Sequence, residues 1–185
     1  TIYPFRQSAQ KTYDQIYDWI HSFPDGAIVV GHNILGYDIW LIWKLFSITP
    51  RFGKEGSDWL EGKPVQFIDT LYLSMYIQPD LPFHSLDYLS KGSTNEKIDY
   101  RQSLINAGAL EPDAPKGAEF LFYHPLMDEY CNADVDANIG VFFTWWRRAI
   151  ELYKIDWIHK SYKCGQKSFA LMKAQEYTGV VFDRE

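Results

Sequence analysis

Two short apolar runs limit the fold of this chain more than any other feature. Ala27-Ile28-Val29-Val30 stops at Gly31-His32-Asn33, and Val65-Gln66-Phe67-Ile68 stops at Asp69-Thr70. Continuously apolar runs of this length, bounded by polar breaks, are expected of strands buried on both faces. The segments between them follow a helical period instead. Tyr13, Ile16, Tyr17 and Ile20 fall at i, i+3, i+4 and i+7 within residues 13–23, and Pro24-Asp25-Gly26 supplies the stop. Residues 37–46 return to that period, and residues 71–77 continue it up to the break before Pro79. Strands alternating with helices predict the α/β class.

The rest of the chain is organised around longer or more polar stretches. Residues 53–63 are glycine-rich and charged and read as a surface loop. Residues 84–89 begin another helix with Ser85 as its cap, and residues 91–117 read as irregular with a short helix near 100–107. Residues 127–152 carry the longest helical pattern. Val135, Ile139, Phe142 and Phe143 form its expected apolar face, continued by Trp145, Trp146 and Ile150. A final helix is expected over residues 163–176, ended by Gly179. No internal repeat is visible.

Composition narrows the classes of function. No apolar run reaches the roughly 18 residues of a membrane span, and no basic segment leads into an apolar one as in a secretory signal. Cys131 and Cys164 form no CxxC pair or Cys/His cluster, so a reduced, cytoplasmic setting is expected. A net charge of −6 argues against a broad basic surface that grips duplex DNA. It is compatible with a nuclease whose carboxylates hold divalent metals, because the metals then supply the positive charge that a phosphate meets. Aromatic residues make up 17% of the chain, and most sit among aliphatics at helix or strand spacing, so core packing is their expected role.

Three carboxylates stand out by position. Asp38 follows a strand and opens a helix, Asp69 lies at the C-terminal end of a strand, and Asp134 lies one turn after Tyr130 within the long helix. In an open α/β sheet the functional crevice lies outside the carboxyl ends of the strands, where Asp38 and Asp69 are both expected. Converging carboxylates repel one another unless hard, oxygen-loving cations such as Mg²⁺ or Mn²⁺ neutralise them. Two such metals support in-line hydrolysis of a phosphodiester, and a tyrosine hydroxyl nearby can orient the attacking water. Each acid also has a structural alternative: Asp38 and Asp69 as helix caps, and Asp134, with Asp128 and Asp136, as part of a solvated helix face. His32, His84 and His124 lack partners at zinc or iron spacing and are read as structural. The absence of GxxxxGK[ST], GxGxxG and GxSxG patterns removes P-loop, dinucleotide and serine-hydrolase readings.

These residues resemble a known family. Gly31-His32-Asn33-Ile34-Leu35-Gly36-Tyr37-Asp38 is similar to the second motif of proofreading 3′–5′ exonucleases of the RNase H-like, DEDD superfamily, where Asn and Asp sit five residues apart. Tyr130-Cys131-Asn132-Ala133-Asp134 resembles their third motif, YxxxD, in the tyrosine subclass. Ile68-Asp69-Thr70-Leu71 followed by His84-Ser85-Leu86 is similar to the region between these motifs in phage replicative polymerases. Ser168-Phe169-Ala170 onward, with Gly179-Val180-Val181-Phe182-Asp183, resembles the passage from exonuclease to polymerase in family A enzymes.

The resemblance implies a mixed central sheet flanked by helices, with an exonuclease domain over residues 1–160 and the start of the connection to a polymerase over 161–185. It implies Asp38 and Asp134 as metal-site carboxylates for Mg²⁺ or Mn²⁺, and Tyr130 as the group that positions the water. Asn33 would support the site or contact substrate, and Leu35, Trp40 and Phe83 are candidates for touching terminal bases, with core packing the alternative for each. Asp69 would shape the site rather than bind metal. The family's first motif, an Asp-x-Glu on an N-terminal strand, has no counterpart before Asp38, where the acids are Asp14, Asp18 and Asp25. Thr1 to Phe5 would then match a later strand of the sheet, and the fragment alone would be weak or inactive. The expected function is removal of 3′-terminal nucleotides from single-stranded DNA, with the remainder of a polymerase polypeptide as partner. The alternatives are a catalytically silent module of the same fold and a free-standing RNase-type exonuclease.

Overall fold

The computed structural model describes residues 3–52, 58–91, 97–154 and 158–178. Its α-helices are α1 (Tyr3–His21), α2 (Asp38–Phe46), α3 (Thr70–Ile77), α4 (Leu86–Ser90), α5 (Tyr100–Asn106), α6 (Leu126–Leu152) and α7 (Lys163–Thr178). Its strands are β1 (Ala27–Gly31), β2 (Pro50–Phe52), β3 (Asp58–Leu60) and β4 (Lys63–Asp69). The class is α/β, as the alternation predicts. The strands form one mixed sheet in the order β1-β4-β3-β2. β1 runs parallel to β4, with Gly31 opposite Asp69, while β3 is antiparallel to both β4 and β2.

Three local expectations are corrected. Residues 3–5 are the start of α1 rather than a strand, and Pro4 is tolerated there because the first helical N–H groups have no intrahelical partner. Thr1 and Ile2 lie outside the described residues. Residues 58–63 are not loop but the closed end of a hairpin, formed by β3, a two-residue turn and the start of β4. Leu60 pairs with Lys63, and Glu61 and Gly62 take φ of 48° and 78°, the backbone twist that joins two strands by two residues. Residues 53–57 and the passage Gly179-Val180-Val181-Phe182-Asp183 lie outside the described residues. β1, finally, is not buried on both faces: it is an outer strand of the sheet and Ile28 is 58% exposed.

The chain divides into two compact units, Thr1–Leu73 with Leu152–Glu185, and Ser74–Glu151. The core of the first joins Leu35 and Ile39 from the β1–α2 region, Val65 and Phe67 from β4, and Phe169 and Ala170 from α7. In the second unit, Leu104 of α5 and a stripe of α6, Ala137, Val141, Trp145 and Ala149, are buried. That stripe shares only Trp145 with the expected one. Val135, Ile139, Phe143 and Ile150 are exposed. Two apolar stripes run along α6, and periodicity alone does not say which a neighbour covers. The buried one has alanines at two of its four positions.

Candidate functional site

Asp69 organises the loop that carries the first set of candidate residues. Its carboxylate is fully buried and accepts four backbone N–H groups. Oδ1 takes those of Asn33 (3.0 Å), Leu71 (3.0 Å) and Tyr72 (3.3 Å), and Oδ2 takes that of Leu35 (3.0 Å). The two donors of α3 are orphans of its first turn, and the two donors of the β1–α2 loop would otherwise be buried without partners. Burial pushes the Asp69 carboxyl up from 3.8 to about 6, against the pull of these four donors. The backbone of Asp69 is held as well. Its N–H donates to Gln166 Oε1 (3.1 Å), and its C=O accepts from the Tyr162 hydroxyl (3.1 Å). Gln166 Nε2 also donates to Phe67 O (2.8 Å), and Asp58 Oδ2 accepts from Phe67 N (3.4 Å). The edge of β4 beyond the end of β3 is thus paired by side chains instead of a strand. With four backbone donors on its two oxygens, Asp69 shapes the loop.

The loop is tight. Asn33 takes a positive φ of 59°, a conformation that Asn tolerates better than most residues. A Cβ on Gly36 would lie 2.1 Å from Asn33 Oδ1, and one on Gly31 would lie 2.6 Å from Ile34 Cβ. Both glycines are therefore required by close approach. Asp38 emerges from this loop in the first turn of α2, whose N-cap residue Tyr37 supplies no side-chain cap. It is exposed, and partial desolvation raises its pKa. Leu35 is fully buried in the core and Trp40 donates Nε1–H to Leu35 O (2.6 Å), so both take the packing alternative. His32 bonds Thr70 Oγ1 (3.0 Å), His84 bonds Ser74 Oγ (2.9 Å) and His124 accepts from Leu126 N (3.3 Å). All three have structural partners.

In the second unit Tyr130 and Asp134 share a face of α6 with a residue that no motif marks, Lys97. Its Nζ lies 3.4 Å from Asp134 Oδ2 and 5.2 Å from the centre of the Tyr130 ring. Burial opposes the Lys97 ammonium, but Tyr130 and Asp134 outweigh it and its pKa is raised. Burial pushes the Tyr130 phenol up; Lys97 pulls it back and Asp134 adds to the rise. Tyr130 stacks on Tyr100 at 5.2 Å, and Phe120 packs near both. Lys97 sits in the polar stretch before α5, a stretch without period, and nothing in the sequence singles it out. Phe83 is exposed and packs edge-on against Tyr88 at 5.7 Å.

Among the described residues no group of three or more His, Cys, Asp or Glu side chains is arranged to hold a metal. Single donors do suit a hard cation. Asp134 Oδ1 is buried with no hydrogen-bond partner among the described residues, an oxygen whose desolvation a cation would offset. Asp38 belongs to the first unit, Tyr130 and Asp134 to the second. No helix among the described residues is long and apolar enough to cross a membrane. No protein-family model, curated protein or solved structure matches this chain.

Proposed function

We propose that this chain is the RNase H-like 3′–5′ exonuclease portion of a phage-type DNA polymerase, acting on single-stranded 3′ ends. The observation that supports it best is the pairing of Tyr130 with Asp134 on one helix face, the carboxylate keeping a buried oxygen without a partner among the described residues. The loop from Gly31 to Asp38 adds support, since its two glycines and its Asn are held by close contact and by Asp69. Asp38 and Asp134 are the residues that would hold Mg²⁺ or Mn²⁺, which when bound supplies positive charge for the phosphate and a more acidic water. Tyr130, with its proton retained, orients that water by hydrogen bonding. Lys97 holds the Asp134 carboxylate and the Tyr130 ring in register through its ammonium.

Calorimetry with Mn²⁺ on the chain and on Asp38→Ala and Asp134→Ala variants is the first test. Saturable binding lost in both variants supports the reading. Binding that neither substitution alters overturns the assignment of these carboxylates. In the complete encoded polypeptide, Mn²⁺-dependent degradation of 3′-labelled single-stranded DNA should fall roughly 10²- to 10³-fold in either variant. One observation favours a second reading, a catalytically silent module: the Lys97 ammonium already satisfies one Asp134 oxygen. Mn²⁺ binding that appears only in Lys97→Met would support it.

A further inference from the structure

Helix α6 is 27 residues long, about 40 Å, and one of its two apolar stripes is left uncovered. Val135, Ile139, Phe143 and Ile150 are between 45% and 61% exposed, and the half-buried Phe142 and Trp146 lie between them. Together they recur every three or four residues along most of the band, the spacing by which one helix packs against another. Phe142 touches both Phe143 and Trp146, with ring centres 5.3 and 5.7 Å apart, so the middle of the band is aromatic. On the order of 400 Å² of apolar surface is exposed along it, counting roughly 100 Å² for each half-exposed large side chain. Two such bands face to face approach the roughly 1,000 Å² that a specific interface needs.

The charges beside the band indicate what covers it. Asp136 and Arg147 are both exposed, and neither forms an ion pair among the described residues. They stand three turns apart and so lie on the same margin of the band, whereas the other margin, at Cys131 and Asn138, is uncharged. When two copies of a helix pack antiparallel about a two-fold axis, each margin meets the same margin of the other copy; in a parallel pair, opposite margins meet. The antiparallel arrangement therefore sets Asp136 of each copy beside Arg147 of the other. The same register brings Ile139 near Phe142 and Val135 near Trp146. A parallel pair would leave both charges against an uncharged margin. The two halves of the helix agree. Asp128, Glu129 and Asp136 are exposed on the first half and Arg147 and Arg148 on the second, so antiparallel copies lay acid against base. We propose that this band is the interface of a homodimer, two copies of the chain joined antiparallel through α6. Tyr130 and Asp134 lie on another side of the helix, so the pairing leaves them uncovered and does not depend on the nuclease reading.

The test is sedimentation velocity of the chain over about 1–200 μM, with a thermal melt of each variant. A reversible monomer–dimer equilibrium is expected, with a dissociation constant in the micromolar range that suits an interface near the lower size limit. Ile139→Glu with Phe143→Glu should weaken the dimer at least about tenfold, because it would bury unpaired carboxylates at the interface. Both side chains are exposed in the single chain, so the melting temperature of the monomer should hold, and the lost dimer is then not a folding defect. Asp136→Arg should weaken the dimer about three- to tenfold, and Asp136→Arg with Arg147→Asp should restore it. A chain that stays monomeric at about 200 μM overturns the proposal. So does association that ignores the Ile139 and Phe143 substitutions, growth into open-ended oligomers, or a double charge exchange no better than the single one. Flotation of the chain with phosphatidylcholine vesicles, lost in the Ile139→Glu, Phe143→Glu variant, would assign the band to a lipid surface and overturn it as well.

Discussion

Asp69 shows how one buried side chain can hold two separate backbone segments in place. Removing it in Asp69→Ala would strand four backbone donors, and the expected cost is about 3 kcal/mol or more, read by urea unfolding. Its titration has a definite sign. Because burial raises the folded-state carboxyl from 3.8 to about 6, its contribution to stability is fully present below pH 3.8 and is lost as pH rises through 6. The change across that window is about 3 kcal/mol. The stability of the wild type minus that of Asp69→Asn should therefore fall between pH 4 and pH 7. A difference that grows instead would mean that the four N–H donors outweigh desolvation. Asn33 and Asp38 stand out in the sequence, at the break after one strand and the start of the next helix. That Asp69 holds the loop between them does not, because its donors come from segments some 35 residues apart.

Elements are set by how closely neighbours approach. In the Gly31 to Asp38 loop, Gly36→Ala places a Cβ against the Asn33 side chain, which is short and belongs to a residue already at positive φ. Overpacking of this kind costs about 1–3 kcal/mol, and the loss should appear as a lower unfolding midpoint in urea. In the β3–β4 hairpin Gly62 takes a φ of 78° with open space where a Cβ would be, so Gly62→Ala should cost only about 1 kcal/mol of backbone strain. Comparing the two variants separates steric from conformational cost. The hairpin was in principle readable, since Glu61-Gly62 sits between two short runs with strand-forming residues. The abundance of glycine and charge over residues 53–63 points to loop instead. Helices α2, α3, α4 and α5 lie within about two residues of the periodic patterns that predict them, and Ser85 caps α4 by accepting from Tyr88 N (3.3 Å).

At the scale of the whole molecule, the exposed stripe of α6 is the largest departure from the sequence pattern. Val135, Ile139, Phe143 and Ile150 recur at helical spacing and face solvent. An apolar stripe of this length should bind a hydrophobic dye and promote self-association. Ile139→Glu with Phe143→Glu should reduce both, by dye fluorescence and sedimentation velocity. Stability should stay within about 1 kcal/mol, because exposed side chains contribute little to folding.

The sequence alone determined where β1, β4 and most of the helices form, because the 3.6-residue and strand-like apolar patterns and the turn residues are local properties of the chain. The resemblance marked Asn33, Asp38, Tyr130 and Asp134 as candidates, the first two in one compact unit and the last two in the other. Only the tertiary structure decided which of two apolar stripes on α6 is covered, that Leu35 is core, and that Lys97 meets Asp134 and Tyr130. These depend on contacts between residues far apart in the chain, and such contacts leave no period or motif in the sequence to read.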